Sequence, residues 1–155
     1  MNKHVWWLSL VVILLAAFSA TMSVAAPTAQ EAIEAGNAQW AAGELDAALA
    51  SYQRAAATDE NSVDARLKLA GVRMARKEYR AAVEAFQDAA SINPDDAKPF
   101  IGMGIAYLHL GQDSLAHAAL TEAVRLEPAR REQLEPLLTR IEARLDVGTA
   151  TPSAD

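Results

Sequence analysis

Small and large side chains recur at fixed places in the stretch from Ala97 to Pro128. With Ala97 counted as position 1, Phe100 stands at 4, Met103 at 7, Gly104 at 8 and Tyr107 at 11. Ala116 follows at 20, Leu120 at 24, Ala123 at 27 and Pro128 at 32. Phe100 and Tyr107 are seven residues apart and share one helical face. Gly104 and Ala116 are small enough for two antiparallel helices to approach closely, with the aromatic rings filling the space beside them. Gly111 can take the left-handed conformation that ends a first helix, and Pro128 cannot continue a second. The pattern predicts a helical hairpin.

The same spacing occurs twice more upstream. Counted from Ala29, Gly36 falls at 8, Gly43 at 15, Ala48 at 20, Tyr52 at 24 and Ala55 at 27. Counted from Val63, Leu69 falls at 7, Ala70 at 8, Ala82 at 20, Phe86 at 24, Ala89 at 27 and Pro94 at 32. The starts at 29, 63 and 97 are spaced by 34 without insertion. In these positions the chain resembles the tetratricopeptide repeat, a 34-residue helix-turn-helix unit. The resemblance covers Ala29 to about Arg130. It implies an all-α fold, a short right-handed α-solenoid of three hairpins at 29–62, 63–96 and 97–130.

Some positions depart from the pattern. The first repeat has Ala32 at 4 and Glu60 in place of the proline. The second has Arg66 at 4, Arg73 at 11 and Lys77 where the turn glycine is usual, and the third has Asp113 at 17, where an apolar residue normally packs. The third repeat is therefore expected to be the best formed and the first the loosest.

After the repeats, Leu134, Leu137, Leu138, Ile141 and Leu145 form an apolar stripe opposite Glu135, Arg140, Glu142 and Arg144. This predicts a capping helix over 131–147 that covers the apolar face of the last repeat. Pro136 belongs in a first helical turn, so the regular part is expected to begin near Gln133 to Glu135. Gly148 should end it, and the small, polar residues of 148–155 should be disordered.

At the other end, residues 1–25 read as a secretory signal. Lys3 supplies the positive start, Val5 to Phe18 the apolar core, and Ser23-Val24-Ala25 a cleavage box before Ala26. The alternative is an uncleaved anchor, since no charge occurs from Val5 to Ala26 and Trp6 and Trp7 beside Lys3 suit a membrane interface. Both readings place the folded part outside the cytoplasm, periplasmic or secreted in the first case and tethered to the inner membrane in the second. Thr28 and Glu31 then form a capping box for the first helix.

The chain has no cysteine, which excludes disulfides, thiolate metal sites, a cysteine nucleophile and a lipidated amino-terminal cysteine. A net charge of −6 argues against nonspecific nucleic-acid binding.

The resemblance further implies that positions 2, 5, 9, 12 and 13 of each first helix line a concave groove. These are Gln30, Ile33, Asn37, Trp40 and Ala41, then Asp64, Leu67, Gly71, Met74 and Ala75, then Lys98, Ile101, Ile105, Leu108 and His109. Position 5 (Ile33, Leu67, Ile101) and position 12 (Trp40, Met74, Leu108) are apolar throughout, a strip wide enough for a peptide or a helix face. A protein or peptide partner is expected there. The alternatives are a terminal segment of the chain folded over the strip, or a homo-oligomer. The Lys, Arg and Asn set with which some members of the family grip a terminal carboxylate is not present.

The second repeat is basic at Arg66, Lys68, Arg73, Arg76, Lys77 and Arg80. Arg66, Arg73, Lys77 and Arg80 can share a ridge that meets an anion, or they can form a solvated face paired with Asp64, Glu84 and Asp88. His109 and His117 could approach each other, but no third ligand accompanies them, so no metal or other cofactor is expected. Asp113, Ser114 and His117 lack an acid placed to orient the base and an oxyanion hole. No catalytic constellation results. The expected function is that of a noncatalytic exported scaffold, with a self-associating component of an envelope assembly as the alternative.

Overall fold

The computed structural model describes the backbone of residues 27–149 and the side chains as far as 146. The signal or anchor expected in the first 25 residues and most of the expected tail lie outside the described residues. Among the described residues seven α-helices follow one another: α1 Ala29–Ala41, α2 Leu45–Thr58, α3 Val63–Ala75, α4 Tyr79–Ile92, α5 Ala97–His109, α6 Asp113–Leu126 and α7 Arg131–Thr149. A 3₁₀ turn, Pro128–Arg130, leads into α7. Among the described residues no helix is long and apolar enough to cross a membrane.

Each first helix starts with a side-chain cap. Thr28 Oγ1 accepts from the Glu31 amide at 3.2 Å while Glu31 Oε2 accepts from the Thr28 amide at 2.8 Å, the reciprocal box expected there. Ser62 accepts from the Ala65 amide and Asp96 from the Lys98 amide in the same role. The second helices have no such cap and are set by the turns before them. Gly43, Lys77 and Gly111 all have positive φ, at 78°, 61° and 69°. One closing bond of 2.9 Å follows in each turn, from the amides of Glu44, Glu78 and Gln112 to the carbonyls of Gln39, Arg73 and Tyr107. Lys77 thus adopts a conformation that glycine takes without strain.

Two kinds of close approach build the stack. Within the third hairpin, a Cβ added to Gly104 would lie 2.5 Å from Leu120 Cγ and 3.4 Å from the Ala116 carbonyl oxygen. Between the second and third hairpins, a Cβ on Gly102 would lie 2.2 Å from the Phe86 ring, so the ring of one repeat fills a notch in the next. Buried alanines at Ala48, Ala55, Ala65, Ala70, Ala82, Ala89, Ala116 and Ala123 keep the remaining helix contacts short. Phe100 and Tyr107 pack against both hydrophobic clusters and join them into one core.

The capping helix differs from expectation. It begins at Arg131, not near Gln133 to Glu135, and runs through Gly148 to Thr149. The 3₁₀ turn already supplies helical geometry at Arg131 (φ −51°, ψ −52°), so Pro136 falls beyond the first turn. Pro136 and Glu132 are exposed, so the backbone bond that proline removes is missing on the outer side of the helix.

With Arg131 as a fourth start, the spacing of 34 continues, yet the buried stripe does not. The buried residues of α5 are Ala97, Pro99, Met103, Gly104 and Ala106, at positions 1, 3, 7, 8 and 10. Those of α7 are Leu134, Leu138 and Ile141, at positions 4, 8 and 11. Position 8, small in the three repeats so that a second helix can approach, carries Leu138 turned into the core beside Leu120 and Val124. The helix closes the third repeat. Polar ties accompany it: Asp113 pairs with Arg144, and His117 Nε2 lies 3.0 Å from Glu142 Oε1. Asp113 at position 17 therefore has a partner in the cap.

Candidate peptide-binding groove

The first helices α1, α3 and α5 approach one another, whereas among the described residues the second helices α2, α4 and α6 do not. The first helices thus form the inner wall and the second helices the outer one.

The expected groove residues divide on this wall. Trp40 is 40% exposed and Ile105 38%, unusually open for such large apolar side chains. Leu67, Met74, Ile101 and Leu108 are half-buried against the clusters below them. Asn37 and Lys98 are exposed.

One expectation needs correction, and exposed His109 has a neighbour on the wall. Ile33 is 5% exposed and belongs to the core. Ala32, at the position Phe100 holds in the third repeat, is buried in the same cluster. His109 stacks on Tyr79 with ring centroids 4.4 Å apart and planes 2° from parallel, which holds its ring against the start of α4.

A pocket opens on the wall between the first two repeats. Asn37 and Trp40 from α1, Tyr52 from α2, and Lys68 and Gly71 from α3 surround a pocket of about 240 Å³. The buried Tyr52 hydroxyl donates to Asn37 Oδ1 at 3.0 Å, which leaves the Asn37 amide N–H groups to face outward demand. Burial pushes the Tyr52 phenol above its ordinary range, and the negative charge of Asp64 adds to the effect. Tyr52 is therefore a dependable donor at neutral pH. Lys68 Nζ lies 3.8 Å from Asp64 Oδ1.

Tyr52 and Lys68 line the pocket from outside the positions expected to face the groove. A hydroxyl at position 24, where Phe86 and Leu120 stand in the other repeats, was the available signal, because a buried phenol requires a partner.

The basic ridge does not form as a free surface. Arg66 and Arg73 occupy the places of Phe100 and Tyr107, and both are half-buried. Arg66 Nη2 donates to the Glu60 carbonyl at 2.6 Å and Nη1 lies 3.7 Å from Asp88. Arg73 Nη1 donates to the Ala81 carbonyl at 2.8 Å. Arg76 pairs with Asp46 and, through Nε at 2.6 Å, with Glu78. Lys77 and Arg80 are exposed. Long basic side chains with apolar stems can replace core aromatics in this way, and the anion-binding expectation fails for Arg66 and Arg73. His109 and His117 are each engaged by a different neighbour.

Comparison with known proteins agrees with this architecture. Residues 73–141 match the tetratricopeptide repeat profile. The peroxisomal targeting signal receptor of Candida albicans is 29% identical over 94 residues, which span 57% of this chain and 16% of the receptor. Among solved structures, the first tetratricopeptide domain of Spaghetti (RPAP3) bound to the HSP90 peptide SRMEEVD superposes with a TM-score of 0.71 at 22% identity. That match covers 76% of this chain and 93% of the other. PcrH in complex with the chaperone-binding region of PopD superposes with a TM-score of 0.62 at 23% identity, over 78% and 90% of the two chains. MamA gives a TM-score of 0.64 at 28% identity, over 68% of this chain and 61% of MamA. The fold is an all-α solenoid of three tetratricopeptide-type hairpins closed by one helix.

Proposed function

We propose that this chain is an exported, noncatalytic scaffold that binds another protein or a peptide along the inner wall of its first helices. The observation that carries the reading is Trp40, a large indole left 40% exposed at the edge of a pocket on that wall. Half-exposed aromatic side chains set in a pocket are typical anchors of protein interfaces. The peptide-bound structures of RPAP3 and PcrH, built on the same fold, support the reading by analogy. Export rests on the apolar, cleavable character of the first 25 residues. A second copy seated on the same strip, as in an envelope assembly, is the alternative that Ile105 and Trp40 also favour.

Capture from envelope extracts with the native chain and with Ile105→Glu tests the binding surface. A protein retained by the first and lost with the second supports the reading. A protein retained equally by both binds elsewhere and overturns it. Light scattering over a concentration series isolates self-association, which a concentration-independent monomer rules out. For export, sequencing the amino terminus of the protein from its native host should find Ala26. A protein that begins at Met1 and sediments with membranes is anchored instead.

A further inference from the structure

Of the six basic side chains in the second repeat, four are engaged within the molecule. Arg66 and Arg73 reach carbonyls, Arg76 pairs with Asp46 and Glu78, and Lys68 lies beside Asp64. Lys77 and Arg80 remain, both exposed and with no side-chain hydrogen bond or ion pair among the described residues. They stand on the edge where first helices end and second helices begin, which is distinct from the inner wall. Two residue choices on this edge work against the fold. Lys77 takes a left-handed φ of 61°, where Gly43 and Gly111 stand in the other repeats. Leu115, at position 19, is 48% exposed, more than Trp40 or Ile105, whereas half-buried Ala47 and Ala81 hold that position elsewhere. Lys77, Arg80 and Leu110 line a hollow of about 400 Å³, and Gly111, Leu115 and Leu145 line another of about 440 Å³. The two hollows adjoin at the Leu110–Gly111 peptide, so the free cations and the open leucine share one edge.

We infer that this turn edge is a second docking surface, which takes an acidic segment of another protein that carries a bulky apolar residue. It is separate from the groove and does not depend on it. A lysine held in a left-handed turn and a leucine left in the open both cost the fold, and one partner accounts for both. Charge fixes the occupant. Lys77 and Arg80 are unpaired cations on a chain whose net charge is −6, so the edge attracts acids that the rest of the surface repels. A short acidic segment covers the edge alone. An anionic bilayer would also face the remaining acidic chain, and that repulsion offsets two cations. Leu110 and Leu115 supply apolar contact on either side of Gly111. Tyr79, held by its stack on His109, adds a fixed aromatic wall to the first hollow. A scaffold with both a groove and this edge can hold two proteins at once.

The test uses the full chain, a random-peptide library displayed on phage, and variants that restore what the other repeats carry. Lys77→Gly with Arg80→Gln removes both charges, and Leu115→Ala removes the open leucine, without new demands on the fold. The library should yield peptides rich in Asp and Glu around a leucine or an aromatic residue. The charge variant should weaken these peptides by about tenfold or more, and Leu115→Ala by about threefold or more. Ile105→Glu, on the inner wall, should leave them unchanged. A library without such peptides, or acidic peptides that both edge variants bind as well as the native chain, overturns the proposal. So does loss of the acidic peptides with Ile105→Glu alone, which assigns them to the groove. Vesicles of phosphatidylglycerol and phosphatidylcholine that bind the native chain but not Leu115→Ala, where no peptide does, assign a lipid surface instead. A concentration-dependent dimer that Leu115→Ala abolishes assigns a second copy, and also overturns the partner segment. The free protein supplies an independent arm. Lys77→Gly should raise Tm by about 2–6 °C, because glycine takes the left-handed turn without strain. A fall in Tm would show that Lys77 serves the fold and would end the proposal.

Discussion

Gly104 and Leu120 touch so closely that even one carbon added to the glycine would lie 2.5 Å from Leu120 Cγ. Ala116, with no exposed surface, lies one turn before Leu120 on the same helix, and its carbonyl borders the same contact. Ala116→Leu should therefore force extra methylenes into a filled space and destabilise the chain by about 1–3 kcal/mol. A melting temperature equal to that of the native chain would contradict this packing.

Trp40 is placed to act on a partner more than on the fold. Trp40→Ala should change folding stability by under about 1 kcal/mol and weaken partner binding by about 2 kcal/mol or more. With residues 1–25 removed, Trp40 is the single indole left. Its emission should lie at long wavelength in the free protein and shift to the blue on binding. A large loss of stability in the mutant, with blue emission from the free protein, would show that the indole is core.

Tyr52 gives the chain an alkaline limit. Its phenol is raised in the folded state, first by burial and then by Asp64, so folding favours the protonated form. That contribution is complete below the ordinary phenol range of about 10 and is lost as pH rises through the folded value, because the unfolded chain gives up the proton first. Denaturant midpoints should stay level from neutral pH to about 9 and then fall. Tyr52→Phe should flatten that fall at the cost of about 0.5–1.5 kcal/mol at neutral pH, from the lost bond to Asn37. An unchanged alkaline limb in Tyr52→Phe would assign the fall to another group.

The cap should depend on its apolar face, not on its ion pairs. Ile141 has no exposed surface, and Ile141→Ala should cost about 2–5 kcal/mol. Arg144 pairs with Asp113 near the surface, its side chain 47% exposed, and Arg144→Ala should cost no more than about 1 kcal/mol. Equilibrium unfolding of the two variants, each at low and high salt, measures the contrast. A larger, salt-sensitive loss for Arg144→Ala would reverse the assignment.

What the sequence made legible follows from how local the contacts are. Gly104, Ala116 and Leu120 belong to one 34-residue unit, so their spacing alone defines the hairpin. The left-handed turn at Lys77 is likewise set by its place among Gly43 and Gly111. Contacts between units are harder to read. Nothing in the spacing of Leu134, Leu137, Leu138 and Ile141 says which of the adjacent pair Leu137 and Leu138 points inward, and that choice fixes the rotation of α7. No motif announces the burial of Ile33, and the fates of Arg66 and Arg73 depended on carbonyls of Glu60 and Ala81. The groove was visible as a row of positions, but its pocket is completed by Tyr52 and Lys68, whose positions lie outside that row.

The notch that receives the Phe86 ring has a mechanical meaning. At Gly102 the ring of one repeat is seated in the next, whereas the corresponding place one repeat earlier carries Lys68 beside an open pocket. The two joints of the array are therefore filled unequally, and the first should yield sooner under load. Pulled from its ends, the strip would part first between the first and second repeats, and a ligand wedged into the pocket there would act as a splint across the weaker joint.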